Sequence, residues 1–211
     1  MVDAKLRGKF ITLEGVDGAG KSTHIPWIAE QLRQGGGKGG REVVVTREPG
    51  GTPLAEKLRT LVLAEPMDPL SETLLMFAAR ADHVQRVIAP ALNRGAWVVC
   101  DRFTDATAAY QGGGKGVSAD LIRRLSQAVH PGLVPDQTLV FDCPYEVSRI
   151  RLGASGRTLD RFEAEARDFF DRVRKAYQDL AKAQPSRVWI VDGSKSEEEV
   201  KVTVKNSLIT N

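Results

Sequence analysis

Five short stretches of the chain are apolar almost without interruption: KFITLEG (9–15), EVVVTRE (42–48), AWVVCDR (96–102), QTLVFDC (137–143) and RVWIVDG (187–193). A strand with one wet face alternates apolar and polar residues. Strands covered on both faces do not, so this pattern predicts parallel strands between layers of helices. Helical spacing fills the intervals. A helix is predicted from Lys21 to about Gln34, followed by the tract GGGKGG (35–40), read as a C-cap and a connector. A short helix over 53–63 carries Pro53 in its first turn, and a long one runs from Ser71 to Asn93, bent before Pro90. Further helices start near Ser118 and at SEEE (196–199), where Ser196 and Glu199 have capping-box spacing. Over 160–183, Phe162, Ala166, Phe169, Phe170, Val173, Tyr177 and Leu180 form one stripe, read as core packing. Strand and helix alternate along all 211 residues, which predicts one three-layer α/β domain on a five-stranded parallel sheet.

Composition narrows the class. Hydrophobic residues make up 42% and charged residues 27%, as in a soluble globular domain, and no apolar run suits a membrane span or a signal core. A net charge of +3 without any Lys/Arg block argues against binding nucleic acid through its phosphates. Cys100 and Cys143 each end an apolar run, which fits reduced thiols in a reducing compartment, and a cytoplasmic location is expected. His24, His83 and His130 have no metal or triad spacing and are read as surface or packing residues.

The first chemistry lies in ITLEGVDGAGKST (11–23), where Gly15, four residues, Gly20, Lys21 and Ser22 complete a phosphate-loop pattern between a predicted strand and a predicted helix. Residues Gly15, Val16, Asp17, Gly18, Ala19, Gly20, Lys21, Ser22 and Thr23 would cradle the phosphates of ATP or GTP. Lys21 would reach the β- and γ-phosphates, and Ser22 would help hold Mg²⁺. The fold class is therefore that of the phosphate-loop NTPases. No Asn-Lys-x-Asp tetrad reads guanine, which argues against a GTPase switch, and no partner-binding segment of a motor is visible.

Three further stretches point to phosphoryl transfer onto a second anion. TREPGGT (46–52) follows the second strand, where Arg47 would offer a bidentate fork at the carboxyl edge of the sheet. WVVCDRFTDATAAYQGGGKG (97–116) ends a strand in Asp101, placed near Mg²⁺, with Arg102 facing the same cleft and the glycines 112–114 read as a mobile turn. RIRLGASGRTLDRF (149–162) sets arginines around a glycine-serine break, the composition of a basic lid over a triphosphate. A slowly hydrolysing ATPase switch is the rival of another class; turnover without an acceptor separates the two.

With these stretches in place, LEGVDGAGKST, TREPGGTPLAEKLR, LLMFAARADHV, VVCDRFTDATAAYQGGGKG and LDRFEAEARDFFDRVRKAY together resemble the thymidylate kinases, in order and spacing, over nearly the whole chain. The resemblance implies a nucleoside monophosphate kinase-like fold and transfer of the γ-phosphoryl of ATP to dTMP. It implies Arg47 and Arg102 at the acceptor phosphate, Arg80 at the thymine edge, and Asp17 near the 3′-hydroxyl. Tyr110 would lie beside the sugar, with Thr107 and Gln111 nearby. It also implies a homodimer. Gly18 stands where one branch of the family keeps a loop arginine, so this chain resembles the bacterial type that supplies arginine from the lid, here Arg149, Arg151 or Arg157. Arg157 joins Lys21 and Arg102 as the catalytic assignment. Two positions depart from the family pattern: Ala106 replaces a common serine, and Met76 sits where a base-covering aromatic is common. Met76 and Phe77 point about 100° apart on a helix, and Phe77 is assigned to the base. Other nucleoside monophosphate kinases share the fold and chemistry and differ around the base.

Overall fold

All five strands form, as β1 (Phe10–Gly15), β2 (Val43–Arg47), β3 (Trp97–Asp101), β4 (Gln137–Asp142) and β5 (Val188–Asp192). They pair in parallel in the order β2-β3-β1-β4-β5. This is a computed structural model that describes residues 8–35, 40–154, 156, 160–163 and 165–209. Every residue of the central β1 is buried, which is why its sequence does not alternate. Ile11 and Leu13 enter one apolar cluster with Ile28 and Leu32 of α1 (Lys21–Gln34), whereas Phe10 enters another with Ile88 and Leu92. Neighbouring strand residues thus serve the two faces of the sheet, as the pleat requires.

The helices follow their local signals. Thr52 caps α2 (Pro53–Ala64) by accepting from the Ala55 N–H at 3.1 Å, with Pro53 at the first helical position. The long helix is α3 (Pro69–His83), a π-helical stretch Val84–Ile88, and α4 (Ala89–Asn93). The widened turn stands where Pro90 lacks an N–H and its ring crowds the preceding turn. After α5 (Thr104–Thr107) a second π-helical stretch covers Ala108–Gly114, and α6 (Ala119–Val129), α7 (Tyr145–Ala154) and α8 (Arg167–Ala183) follow. The capping box of Ser196 and Glu199 opens α9 (Glu197–Ser207) as expected. Gly35 caps α1, and the rest of the glycine tract, 36–39, lies outside the described residues.

Two expectations change. The glycines 112–114 belong to a helical stretch packed on α8: a Cβ at Gly113 would lie 2.6 Å from the Ala176 Cβ, and one at Gly114 would lie 2.4 Å from the Phe169 ring. Close helix contact, and no mobile turn, explains them. Phe162 is not part of the α8 stripe, because the helix begins only at Arg167. Cys100 and Cys143 are free thiols and buried, and the rings of His24, His83 and His130 are buried too. Among the described residues no helix is long and apolar enough to cross a membrane.

Candidate active site

Gly15, Arg47 and Asp101 end β1, β2 and β3, so all three stand on the carboxyl edge of the sheet, where ligands of open α/β folds bind. Gly15 has φ 122°, and a Cβ there would lie 2.1 Å from the Phe141 carbonyl oxygen, so only glycine lets the chain leave β1. Gly18, at φ 75°, presses against α7: a Cβ would approach the Ser148 carbonyl to 2.7 Å, while the Ser148 hydroxyl donates to the Asp17 carbonyl at 2.7 Å. The loop is thereby pinned between β1 and α7. Lys21 is buried and bends back across it, donating to the Gly15 and Val16 carbonyls at 2.9 and 3.0 Å. Burial, then the nearby Arg102, push its pKa below the usual lysine range.

A wide cleft of roughly 1520 Å³ opens above the loop, lined by Asp17, Gly18, Gly20, Lys21, Ser22 and Thr23, with Arg47, Asp101, Arg102 and Arg151 around it. A second cleft of roughly 580 Å³ runs beside it, lined by Arg80, Arg102, Tyr110, Thr107 and Gln111, and by Met76, Ala106 and Phe162. The two share Asp17, Glu48, Arg59, Arg102 and Asp160 as walls.

Arg102 stands at the junction. Its backbone is left-handed, φ 70°, a strained state for a side chain with a Cβ. One nitrogen, Nη2, donates to Asp17 at 2.6 Å and to the Tyr110 hydroxyl at 3.0 Å, and Nη1 lies 3.4 Å from the Tyr177 hydroxyl. Tyr110 also donates to Asp17 at 3.0 Å. Burial alone would raise the Asp17 pKa, but Arg102 and Lys21 outweigh it and hold the carboxyl at about 2.

Beneath this array Glu14 accepts from the Phe103 N–H at 2.7 Å and lies 2.8 Å from the Tyr177 hydroxyl. Burial, with Asp105 adding to it, raises the Glu14 pKa from 4.5 to about 8. The folded chain therefore holds a proton that the unfolded chain gives up, and Glu14 makes stability fall as pH rises from about 4.5 to about 8. Glu14→Gln fixes the neutral form. Melting temperatures across that window should decline less with rising pH for the variant than for the wild type; parallel curves would contradict this.

The acceptor-side residues also meet. Arg80 is buried, its guanidinium lying 4.7 Å from the Phe77 ring and 5.2 Å from the Phe103 ring. It donates through Nε to Glu48 at 2.7 Å and through Nη2 to the Phe103 carbonyl at 3.2 Å and Thr107 at 3.1 Å. Its remaining nitrogen, Nη1, is buried and has no partner among the described residues. Gln111 donates to Glu72 at 2.7 Å and keeps its place in the wall. Arg47 is different: it reaches the rim of the wide cleft but is more than half exposed and forks onto Glu56, at 2.9 Å through Nη2. To meet a phosphate it must leave that carboxylate.

One assignment needs correction. Phe77 does not line the cleft, because α3 turns that position inward beneath Arg80; Met76 and the half-buried Phe162 form the apolar wall instead. Asp101 and Ser22 both face the wide cleft, and one Asp101 carboxylate oxygen is buried without a partner among the described residues. A hydroxyl and a spare carboxylate oxygen are the hard donors that Mg²⁺ selects, so these residues fit that ion. Of the lid arginines, Arg149 donates to the Glu163 carbonyl at 2.7 Å, and Arg151 donates to the Gly193 and Gly18 carbonyls at 2.6 and 3.3 Å. Arg157 lies outside the described residues. Glu48, Arg59, Asp160 and Phe162 were not singled out from sequence as site residues. All four had a signal, since Glu48 and Arg59 lie in TREPGGTPLAEKLR and Asp160 and Phe162 in LDRFEAEARDFFDRVRKAY.

A phosphate loop and an arginine-walled second cleft that meet at Asp17 and Arg102 define a kinase of small phosphorylated acceptors. Comparison narrows the class. The thymidylate kinase family profile matches residues 13–204. The thymidylate kinase of Bordetella pertussis is 55% identical over 202 residues, spanning 96% of this chain and 95% of that one. That of Methylobacillus flagellatus is 56% identical over 199 residues, 94% and 96% of the two chains. The crystal structure of thymidylate kinase from Ehrlichia chaffeensis superposes with a TM-score of 0.76 at 35% identity, covering 96% of this chain and 98% of that chain. The chain belongs to the thymidylate kinase family, ATP-dependent enzymes that phosphorylate dTMP to dTDP.

Proposed function

We propose that ATP docks in the wide cleft on residues 15–23 and dTMP in the narrower one, with the transferring phosphoryl group crossing at Arg102 and Asp17. The observation that carries this reading is the junction itself: one arginine, held by Asp17 and Tyr110, lines both clefts. Arg102, joined by Arg47 once it leaves Glu56, takes the acceptor phosphate. Arg80 offers its free Nη1–H to a thymine carbonyl, and Asp17 and Tyr110 take the sugar side. Met76 and Phe162 cover the base.

The acceptor phosphate oxygen is already a nucleophile near neutral pH, so no side-chain base is required. Lys21 neutralises charge on the transferring oxygens, and the buried loop keeps it in place. Ser22 and Asp101 hold Mg²⁺, which supplies further neutralisation of the phosphates when bound. Among the three lid arginines, Arg149 and Arg151 are tied to backbone carbonyls, which supports Arg157 as the lid cation. Arg157→Ala should lower kcat by less than loss of Lys21 does and leave the KM for dTMP within a few-fold; a change in that KM alone would move Arg157 to the acceptor site. A structure with dTMP, Mg²⁺ and a non-hydrolysable ATP analogue tests the whole arrangement. Thymine against Arg80 and phosphate against Arg102 is expected; the reverse orientation would refute it.

The reaction belongs in the cytoplasm on this reading, without nucleic acid or membrane, and the working form is a homodimer. Leu54, Leu61, Leu70 and Leu74 are 43–51% exposed on α2 and α3, two helices that pack on one another, and apolar side chains so placed suit a second copy. Sedimentation should give twice the chain mass, and Leu74→Asp should give the folded monomer. A monomeric wild type would contradict this.

A further inference from the structure

The contacts behind Arg80 have a second tier that no part of the proposed reaction uses. His83, one turn further along α3, is completely buried. Its Nδ1 lies 2.9 Å from Glu48 Oε1, and its Nε2 lies 2.6 Å from the Thr46 hydroxyl. The other oxygen of the same carboxylate, Oε2, accepts from Arg80 Nε. A carboxylate paired with arginine only accepts, so His83 carries its proton on Nδ1, and in the neutral ring Nε2 accepts from Thr46. There is no spare space around the ring: a Cβ on Gly51 would lie 2.5 Å from Nε2 and 2.6 Å from Thr46 Oγ1.

From this geometry we propose that His83 is a positioning residue for acceptor recognition: held by Thr46, it fixes the Glu48 carboxylate, which in turn sets the rotation of the Arg80 fork toward the thymine edge. The inference rests on the assignment of Arg80 to that edge. Arg80 has three nitrogens. Glu48 and the Phe103–Thr107 pair fix two of them, so the direction of the third, Nη1, follows from where the Glu48 carboxylate stands. Without His83 the buried Oε1 loses its donor, and the carboxylate gains by rotating toward another one. The fork then turns with it, and the free N–H no longer meets the base in the same place. Among the described residues the phosphate loop shares no hydrogen bond with this chain of contacts.

The test is steady-state kinetics on His83→Leu, His83→Asn, Arg80→Met and the double variant H83L/R80M. His83→Leu should raise the KM for dTMP about 10- to 100-fold, with kcat and the KM for ATP within about threefold. His83→Asn, whose amide can still donate toward Glu48, should recover most of that loss. In the Arg80→Met background, His83→Leu should add nothing, because it acts only through that arginine. Should His83→Leu not fold, His83→Gln takes its place, since its amide reaches the Thr46 end and not Glu48. Equal changes in kcat and in both KM values, or additive effects in the double variant, would make His83 a packing residue and overturn the proposal. If Arg80→Met raises the KM and His83→Leu does not, the positioning role alone falls. If Arg80→Met leaves the KM for dTMP unchanged, the thymine-edge assignment falls, and the role of His83 with it.

Discussion

Lys21→Ala is expected to lower kcat by about a thousandfold or more, the largest effect of any single change in this chain. Its ammonium is the one cation built into the phosphate loop, buried and held by the Gly15 and Val16 carbonyls rather than by a carboxylate. Among the described residues it has no ion pair to break, so it can swing to the donor's phosphates at the cost of two hydrogen bonds to backbone carbonyls. The desolvation that lowers its pKa also makes its charge more effective against a phosphate. Single-turnover measurement at saturating ATP and dTMP separates loss of chemistry from loss of binding. Near-wild-type turnover would remove the loop lysine from the mechanism.

The second large effect is expected at Arg102. Arg102→Ala should reduce kcat/KM for dTMP about 100- to 1,000-fold, since it removes the proposed phosphate ligand and leaves Asp17 without its 2.6 Å partner. The loss divides into two parts. The backbone stays in the left-handed region, so the variant keeps the strain without the contact. Asp17, now held down chiefly by Lys21, should titrate above its present value of about 2. Arg102→Lys keeps the charge but not the fork and should recover only part of the activity, because a lysine cannot serve Asp17, Tyr110 and a phosphate in one plane. Full activity in the lysine variant would show that charge alone matters at the junction.

What could be read ahead of the structure had a local cause. β1, β3 and β4 were legible because strands covered on both faces carry apolar runs. The edge strands β2 and β5 carry the same apolar run although Val45, Trp189 and Ile190 are partly exposed. Gly15–Ser22 was legible because phosphate binding needs fixed spacing along one turn. The glycines 112–114 were misread because their reason is α8: Arg172 of that helix donates to the Gly114 carbonyl across a separation of 58 residues. Phe77 and Met76 differ only in which side of α3 faces the cleft, and helical spacing alone does not decide that. The tier behind Arg80 was invisible for the same reason. Glu48, one residue past β2, and His83, at the end of α3, stand 35 residues apart and meet only because β2 and α3 converge. Arg47 was legible as a cation at the right edge, but its fork onto Glu56 depends on the pitch of α2.

The most direct measurement is ADP release from Mg²⁺·ATP in a coupled assay with dTMP, dUMP, AMP, GMP, CMP or no acceptor. Two clefts joined at Arg102, with Arg80 in the proposed role at the base, predict strong turnover with dTMP, weak turnover with the others, and an almost idle enzyme when no acceptor is present. Turnover of equal size without any acceptor would contradict that arrangement, for it would mean that water reaches the γ-phosphoryl and that the second cleft receives nothing.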